Sequence, residues 1–156
     1  MAIDYLETPI GQLAISANDK GLTTIVFIDN APHTVDPNPH TNAAKVQLEE
    51  YFKGQRQSFK LRLAAQGTTF QQRVWQTLLT VPYGKTASYL DIATDIGNLK
   101  ACRAVGAANG KNPLSIVVPC HRVIGSNGTL TGYAGGIERK QWLLSLEQGQ
   151  QLELLN

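Results

Sequence analysis

Cysteine is scarce in this chain of 156 residues, and Cys102 and Cys120 are too few to form a disulfide scaffold. No apolar run approaches the ~20 residues of a membrane-spanning helix, so we expect no membrane partner. Nor does a basic start lead into a long apolar run, so we expect no secretory signal peptide. These absences predict a protein of a reducing compartment, in the cytoplasm or with the chromosome.

Charge is also sparse. Charged residues make up 17% of the chain and hydrophobic residues 42%, which is an ordinary globular composition, and the net charge of +2 is too small to identify a partner. The distribution of charge is more informative. Residues 1–66 contain six Lys/Arg and seven Asp/Glu, whereas residues 67–156 contain eight and five. The second part is therefore the basic one, which is compatible with a polyanionic partner.

The sequence Pro119-Cys120-His121-Arg122-Val123 sets a thiol, an imidazole and a guanidinium side by side. It follows the β-branched run 115–118, which predicts a strand, and precedes the flexible turn 125–128. A cysteine nucleophile reacts as the thiolate, and neighbouring positive charge lowers the pKa of the thiol. A free cysteine is more often a small buried hydrophobe, but these neighbours favour a reactive Cys120.

The first part of the chain predicts a small α/β lobe, residues 1–66. Turn residues separate three strand-like segments: 3–6, 13–16 and 22–28. Three prolines predict a loop over residues 29–40, after which Thr41 can cap a helix. Alternating apolar residues predict one more strand over 59–63. His33 and His40 have no cysteine or carboxylate at metal-ligand spacing, so we interpret them as solvated and expect no metal.

The second part, residues 67–156, predicts a mainly helical lobe. Thr68 or Thr69 can cap its first helix, and Ser88 starts a capping box for the second. A third helix is predicted from 99 to 109. The second and third helices, joined by a tight glycine turn, have a helix-turn-helix pattern, although any pair of packed helices gives the same spacing.

The third helix has little bulk apart from Arg103 and Val105. Such a helix can approach another backbone closely, either in a groove of DNA or against a helix inside the protein. Enzymes that act on a base extrude it from the duplex, and a side chain that occupies the vacated stack lowers the cost. We favour the DNA interpretation, in which Arg103 enters the duplex. Four small residues then face the groove: Ala101, Ala104, Gly106 and Ala107.

The motif at residues 119–123, together with residues 103–106, 112–113 and 132–136, resembles the O6-alkylguanine-DNA alkyltransferases, especially the prokaryotic single-function type. The resemblance is detailed over residues 68–147 and rests on element order and length before them. It implies a ribonuclease-H-like N-terminal lobe and a winged helix-turn-helix in the C-terminal lobe.

The resemblance also implies a reaction. A damaged guanine is rotated out of duplex DNA, and its O6-alkyl group passes to the protein's own cysteine. Because a thioether is too stable to revert, each molecule reacts once. We further expect a monomer that needs no cofactor.

By resemblance, Cys120 is the acceptor, and His121, acting through a water molecule, is the base that generates the thiolate. Glu147 is expected to hold and polarise the imidazole, as the orienting residue of other triads does. Without the resemblance, Glu147 is better interpreted as solvated, because acids are unfavourable near a helix C-terminus. Asn112 is expected to tie the preceding turn to backbone carbonyls and so support Cys120.

The resemblance assigns the base and DNA contacts as well. Tyr89 is expected to donate its hydroxyl to the flipped guanine and to crowd the DNA backbone, while Arg103 fills the gap in the stack. The base pocket is expected to be lined by Tyr133, Ala134 and Gly135. Their backbone N–H groups would stabilise the departing guanine oxygen, as an oxyanion hole does. The carbonyls of Cys120 and Val123 would bind the guanine amino group.

Some features depart from the family pattern. Ala134 stands where many relatives have serine, and we expect little loss because the backbone carries the role. No cysteine precedes Cys102, so the structural zinc of some relatives is not expected. Cys102 itself is either an exposed second thiol or a small core residue. Two other functions stay open at this stage: a hydrolase that uses Cys120 and His121, and a sensor that binds alkyl lesions without chemistry.

Overall fold

The computed structural model describes residues 1–29 and 34–149. Strands β1 (Ala2–Thr8), β2 (Gly11–Ala17) and β3 (Leu22–Ile28) form an antiparallel sheet in that order. The first two strands pair along their whole length, from Ala2 opposite Ala17 to Thr8 opposite Gly11. The three predicted strands are confirmed, and so is the fold class of a small antiparallel sheet with a helix followed by a mainly helical part.

Helix α1 (Pro39–Phe52) begins earlier than the sequence predicts. Asn38 is its cap: the side-chain oxygen accepts from Thr41 N at 3.0 Å, and Thr41 Oγ1 accepts from Asn38 N at 2.9 Å. The prediction that Thr41 caps the helix and that Pro39 lies in a loop is therefore wrong. Proline fits the first position of a helix, where its missing N–H would have no intrahelical partner.

The predicted strand over residues 59–63 is also wrong, since only Leu63 forms a ladder bridge, to Leu22 of β3. The backbone of Lys60 bonds instead to a side chain of α1. Lys60 N donates to Gln47 Oε1 at 2.9 Å, and Gln47 Nε2 donates to Lys60 O at 3.1 Å. A side chain thus takes the backbone groups that a neighbouring strand would need.

Four helices follow: α2 (Thr69–Leu78), α3 (Tyr89–Ile96), α4 (Cys102–Gly110) and α5 (Ile137–Glu147). Thr68, one of the two predicted caps, begins α2 with a capping box, and the predicted capping box at Ser88 begins α3. Gly97 ends α3 with a left-handed φ of 86°, and a 3₁₀ turn, Leu99–Ala101, precedes α4. Within residues 1–29 and 34–149, no helix is both long and apolar enough to cross a membrane.

The segment before the cysteine is a buried turn and not the predicted strand. Ile116 has a φ of 73°, and Val118 N donates back to Leu114 O at 3.0 Å. The segment is attached to the edge of β3, because Ile25 N donates to Pro113 O at 2.8 Å and Ser115 N donates to Ile25 O at 3.1 Å. The sheet therefore holds the turn that leads to Cys120.

Candidate active site around Cys120

Cys120 begins a 3₁₀ turn, Cys120–Arg122, and is only 3% exposed. Asn112 stabilises the turn that precedes it. The Asn112 amide donates to Val118 O at 2.8 Å and to Leu114 O at 3.4 Å, and its oxygen accepts from Leu114 N at 3.0 Å. The side chain of Asn112 thus replaces the strand partner that the apolar run lacks.

His121 and Glu147 form a buried pair 2.7 Å apart, between Nε2 and Oε2. A carboxylate only accepts hydrogen bonds, so Nε2 carries the proton and the lone pair of the neutral ring lies on Nδ1. Nδ1 has no hydrogen-bond partner within the described ranges. Burial lowers the pKa of His121 and outweighs the hydrogen bond and charge of Glu147, which raise it. His121 is therefore a neutral ring that can accept a proton at Nδ1.

Glu147 accepts hydrogen bonds from several residues besides His121. Arg122 donates from Nε to Oε1 at 2.7 Å and from Nη2 to Oε2 at 3.0 Å. Gly84 N donates to Oε1 at 3.3 Å, and the hydroxyl of Tyr51 donates to Oε2 at 2.6 Å. Burial raises the pKa of Glu147, but the hydrogen bonds from His121 and Arg122 outweigh it and bring the pKa to about 2. Glu147 is therefore a buried carboxylate that is charged at neutral pH.

This arrangement corrects the expectation that the two flanking residues lower the pKa of Cys120. The guanidinium of Arg122 is occupied by Glu147 and by Val81 O at 2.8 Å, and His121 is neutral. Burial raises the pKa of the Cys120 thiol, against the smaller lowering effects of the Asn112 amide and Lys140. The resting cysteine is therefore a protonated thiol that needs a base.

Lys140 is a site residue that the sequence analysis missed. It is fully buried in α5, and its ammonium group donates to Val123 O and to Thr131 O, the latter at 3.0 Å. Burial lowers the pKa of Lys140, and the negative charge of Cys120, once it is a thiolate, raises it. The spacing contained a signal: Lys140 precedes Leu143, Leu144 and Glu147 by three, four and seven residues, so it lies on the buried face of α5.

The predicted base-pocket residues lie in the loop before α5. Tyr133 is buried, Ala134 is exposed, and Gly135 packs so closely that an added Cβ would lie 2.7 Å from the ring of Tyr133. The hydroxyl of Tyr89, at the start of α3, is 2.6 Å from Thr131 Oγ1 in the same loop. The structure therefore brings Tyr89 next to this loop, as a shared base pocket requires.

The residues predicted to face DNA, in α4 and in the turn before it, differ in exposure. Arg103, Ala104 and Ala107 are exposed, whereas Gly106 is half-buried beneath the ring of Tyr89. Ala101 is buried, so the prediction that it faces DNA is corrected: its side chain points into the core, because it lies in the turn that packs α4 onto the protein. The helix also packs against α2, where Trp75 Nε1 donates to Ala108 O at 2.9 Å. Close packing inside the protein therefore accounts for the buried face of α4, while the exposed small residues leave its other face open to close approach.

His40, predicted in a loop, lies instead in the first turn of α1, with Nε2 3.2 Å from Asp19 O, and His33 lies outside the described residues. Within residues 1–29 and 34–149, no three His, Cys, Asp or Glu side chains come together as a metal site would require. Cys102 is half-buried, with Sγ 3.7 Å from Leu99 O.

The sequence matches two family models. The one described as "6-O-methylguanine DNA methyltransferase, DNA binding domain" covers residues 69–149, and the one described as the "ribonuclease-like domain" of the same methyltransferase covers residues 1–65. The chain belongs to the 6-O-methylguanine DNA methyltransferase family. The predicted resemblance is confirmed.

Members of this family from bacteria and archaea are similar over nearly the whole chain. A methylated-DNA–protein-cysteine methyltransferase of Methanosarcina barkeri is 45% identical over 95% of this chain and 98% of its own. The constitutive one of Bacillus subtilis is 47% identical, with coverages of 91% and 92%. The crystal structure of Mycobacterium tuberculosis OGT in complex with DNA superposes with a TM-score of 0.85 at 47% identity, covering 93% and 92%.

Proposed function

We propose that this chain repairs DNA by moving a methyl group from O6-methylguanine in duplex DNA to the sulfur of Cys120, once per molecule. The observation that carries this proposal is a buried thiol followed in sequence by a neutral His121. Nε2 of His121 is hydrogen-bonded to the charged Glu147, which leaves Nδ1 to accept a proton. Relatives that are 45% and 47% identical over at least nine-tenths of the chain carry the name of this activity.

The transfer begins with deprotonation of the thiol. His121 Nδ1 accepts the Cys120 proton, directly or through a water molecule, and Glu147 stabilises the imidazolium that forms. The thiolate attacks the methyl carbon, the S–C bond forms, and the electrons of the C–O bond remain on the guanine oxygen. The proton held by His121 then returns to the released guanine anion. The thioether does not revert, so the protein is consumed.

The loop before α5 and the start of α3 would bind the extruded base. Backbone N–H groups at Ala134 and Gly135 stabilise the departing oxygen, and Tyr89 exchanges its bond to Thr131 for one to the guanine. Val123 O already accepts from Lys140, but a carbonyl has a second lone pair that can bind the guanine amino group. When the base enters, it therefore replaces the hydrogen bond between Tyr89 and Thr131, while the bond from Lys140 to Val123 O stays in place.

The exposed face of α4 is the proposed DNA contact. Ala104 and Ala107 permit close approach to the groove, and Arg103 is the long side chain between exposed Lys100 and Lys111. Exposed cations that contact phosphates release counterions, so DNA affinity should fall as salt rises. The side chain of Arg103 is exposed, which supports its proposed place in the vacated base stack.

Arg103→Ala is expected to slow repair of duplex DNA by at least about tenfold while leaving the reaction with free O6-methylguanine base within about twofold, because a free base needs no extrusion. Single-turnover rates on the two substrates measure the difference. Lys111→Ala is the matched control, since it removes an exposed cation at the end of α4 and should weaken duplex binding without this rate difference. Equal losses on both substrates in Arg103→Ala would contradict stack filling.

The intact mass of the protein after incubation with a duplex containing one O6-methylguanine tests the function itself. We expect the added mass of one methyl group, on the peptide that contains Cys120, saturating at one per molecule. Continued turnover without added mass would favour a hydrolase. Binding without added mass on folded, reduced protein would favour a lesion sensor.

The proposal also includes an organisation and a location. The N-terminal lobe would comprise residues 1–66 and the C-terminal lobe residues 67–156, with α3, α4 and the short strands β4 (Ala87–Ser88) and β5 (Val123–Ile124) as a winged helix-turn-helix. These two strands pair in parallel. The protein would act as a monomer in the cytoplasm, where thiols stay reduced.

A further inference from the structure

We propose that Tyr51, from helix α1, is a positioning residue for the methyl transfer and acts on Cys120 through Glu147 and His121. This inference rests on the proposed roles of those three residues. It makes the N-terminal part of the chain a contributor to the chemistry, in addition to its support of the turn before the cysteine.

The geometry of one carboxylate oxygen carries the proposal. Tyr51 lies 96 positions before Glu147, yet its hydroxyl donates to Glu147 Oε2 at 2.6 Å, and His121 Nε2 lies 2.7 Å from the same oxygen. The tyrosine side chain is fully buried. Burial and then the charge of Glu147 raise the pKa of Tyr51 well above its ordinary value, so the hydroxyl remains a donor. Three donors therefore share Oε2: Tyr51 from the N-terminal part of the chain, and His121 and Arg122 from the C-terminal part.

An aromatic cluster fixes the position of this hydroxyl. The ring of Tyr51 packs against Phe52, Phe59 and Tyr83, with centroid distances of 5.4, 5.6 and 6.2 Å. Tyr83 packs edge-on to Tyr51 and belongs to the segment between α2 and α3, so the cluster includes rings from both parts of the chain. Because the ring is enclosed, the hydroxyl stays directed at Glu147.

Because Tyr51 shares Oε2 with His121, its hydroxyl lowers the pKa of His121. A hydrogen bond to a carboxylate oxygen reduces the negative charge that the oxygen presents to its other partner. Tyr51 therefore weakens the stabilisation of the protonated His121 ring by Glu147 and helps to keep the pKa of His121 low. Without the hydroxyl, Oε2 interacts more strongly with His121, and the pKa of His121 rises.

Tyr51→Phe tests this, because it keeps the enclosed ring and removes only the hydroxyl. We expect the pKa of His121, followed by NMR of its ring protons, to rise by about half a unit. His121 accepts a proton only when neutral. The acid limb of the methyl-transfer rate, normalised to each variant's plateau, should therefore move to higher pH by the same amount, about threefold in rate below the midpoint.

Two further variants separate the hydroxyl from packing. Tyr83→Phe removes a hydroxyl from the same cluster that makes no bond to Glu147 among the residues the structure describes. Phe52→Leu loosens the packing around Tyr51 and keeps its hydroxyl. Neither should move the pKa of His121, even where the melting temperature falls.

The outcomes distinguish this inference from the proposed function. An unchanged or lowered pKa of His121 in Tyr51→Phe would overturn the inference, as would an equal rise in Phe52→Leu. If the wild-type protein transfers no methyl group to Cys120, the proposed function fails, but the NMR titration still decides whether Tyr51 controls His121. If wild type reacts and only the Tyr51→Phe profile is unmoved, the inference alone is wrong.

Discussion

Cys120→Ser is expected to remove methyl transfer completely while leaving affinity for undamaged duplex DNA within about twofold. The reason is that an alcohol, whose pKa lies far above that of a thiol, is a poor nucleophile without a much stronger base. His121 is a neutral, buried imidazole whose pKa burial lowers, so it cannot generate an alkoxide. Intact mass after incubation with methylated duplex, together with a gel-shift titration, measures both parts of the result.

The second cysteine provides the control for this result. Cys102 is half-buried at the start of α4, with Sγ 3.7 Å from Leu99 O. Cys102→Ser keeps the size of the side chain and should transfer the methyl group at the wild-type rate. A methyl group on any peptide of Cys120→Ser would place the acceptor elsewhere. Loss of DNA binding in Cys120→Ser would instead mean that the variant has disturbed the fold.

Glu147→Gln is expected to reduce both stability and transfer. A carboxylate has two oxygens that accept, whereas an amide has one oxygen and a nitrogen that donates. The donors from Arg122, Tyr51 and Gly84 surround Glu147 and cannot all be satisfied by glutamine. Breaking a buried ion pair by removing one partner costs about 3–5 kcal/mol, because the other charge remains buried. Urea unfolding followed by circular dichroism measures the loss.

The rate of transfer should fall further than stability alone explains. Glu147 keeps the proton of His121 on Nε2, which leaves the lone pair on Nδ1 for the thiol. The amide nitrogen of glutamine can turn the ring into the other tautomer, in which Nδ1 has no lone pair. In a Ser-His-Asp triad the corresponding exchange costs about 10⁴ in rate, so we expect a loss of about 10²–10⁴ here. Single-turnover kinetics on fully folded protein measure it.

The same residue predicts how stability depends on pH. The pKa of Glu147 is about 2 in the folded protein and 4.5 as its ordinary value. A lowered folded pKa stabilises the protein above the unfolded value, and this stabilisation disappears as the pH falls from about 4.5 towards 2. A difference of this size corresponds to about 3 kcal/mol. In Glu147→Gln this part of the pH dependence should be absent.

A double variant separates the two effects of Glu147. Replacing both Glu147 and Arg122 with leucine removes both charges of the ion pair. Replacing a buried ion pair with apolar residues is often neutral or stabilising for the fold. We expect stability to recover only part of the way to wild type, because the donors of Tyr51, His121 and Gly84 lose their acceptor. Transfer should stay as slow as in Glu147→Gln. Recovery of transfer with stability would mean that Glu147 acts only by holding the fold together.

Local signals in the sequence predicted the parts of the fold whose partners are close in the chain. The caps at Thr68 and Ser88 and the end of α3 at Gly97 are each decided within about four residues, and all three are confirmed. The predicted strands over 59–63 and 115–118 failed for a different reason. Their backbone groups bond to side chains, those of Gln47 and Asn112, which propensity and alternation do not describe.

The family and the reactive motif are evident from the order of residues, because the motif at residues 119–123 and its flanking segments lie in one stretch of chain. The electrostatics of the site depend on the packed structure. Burial makes Cys120 a protonated thiol, and Glu147 occupies the guanidinium of Arg122 that the sequence predicted to act on the cysteine. Lys140 and Tyr51 reach the site from 20 and 69 positions away along the chain. Burial and such long-range contacts depend on how the elements pack, which the order of residues along the chain does not display.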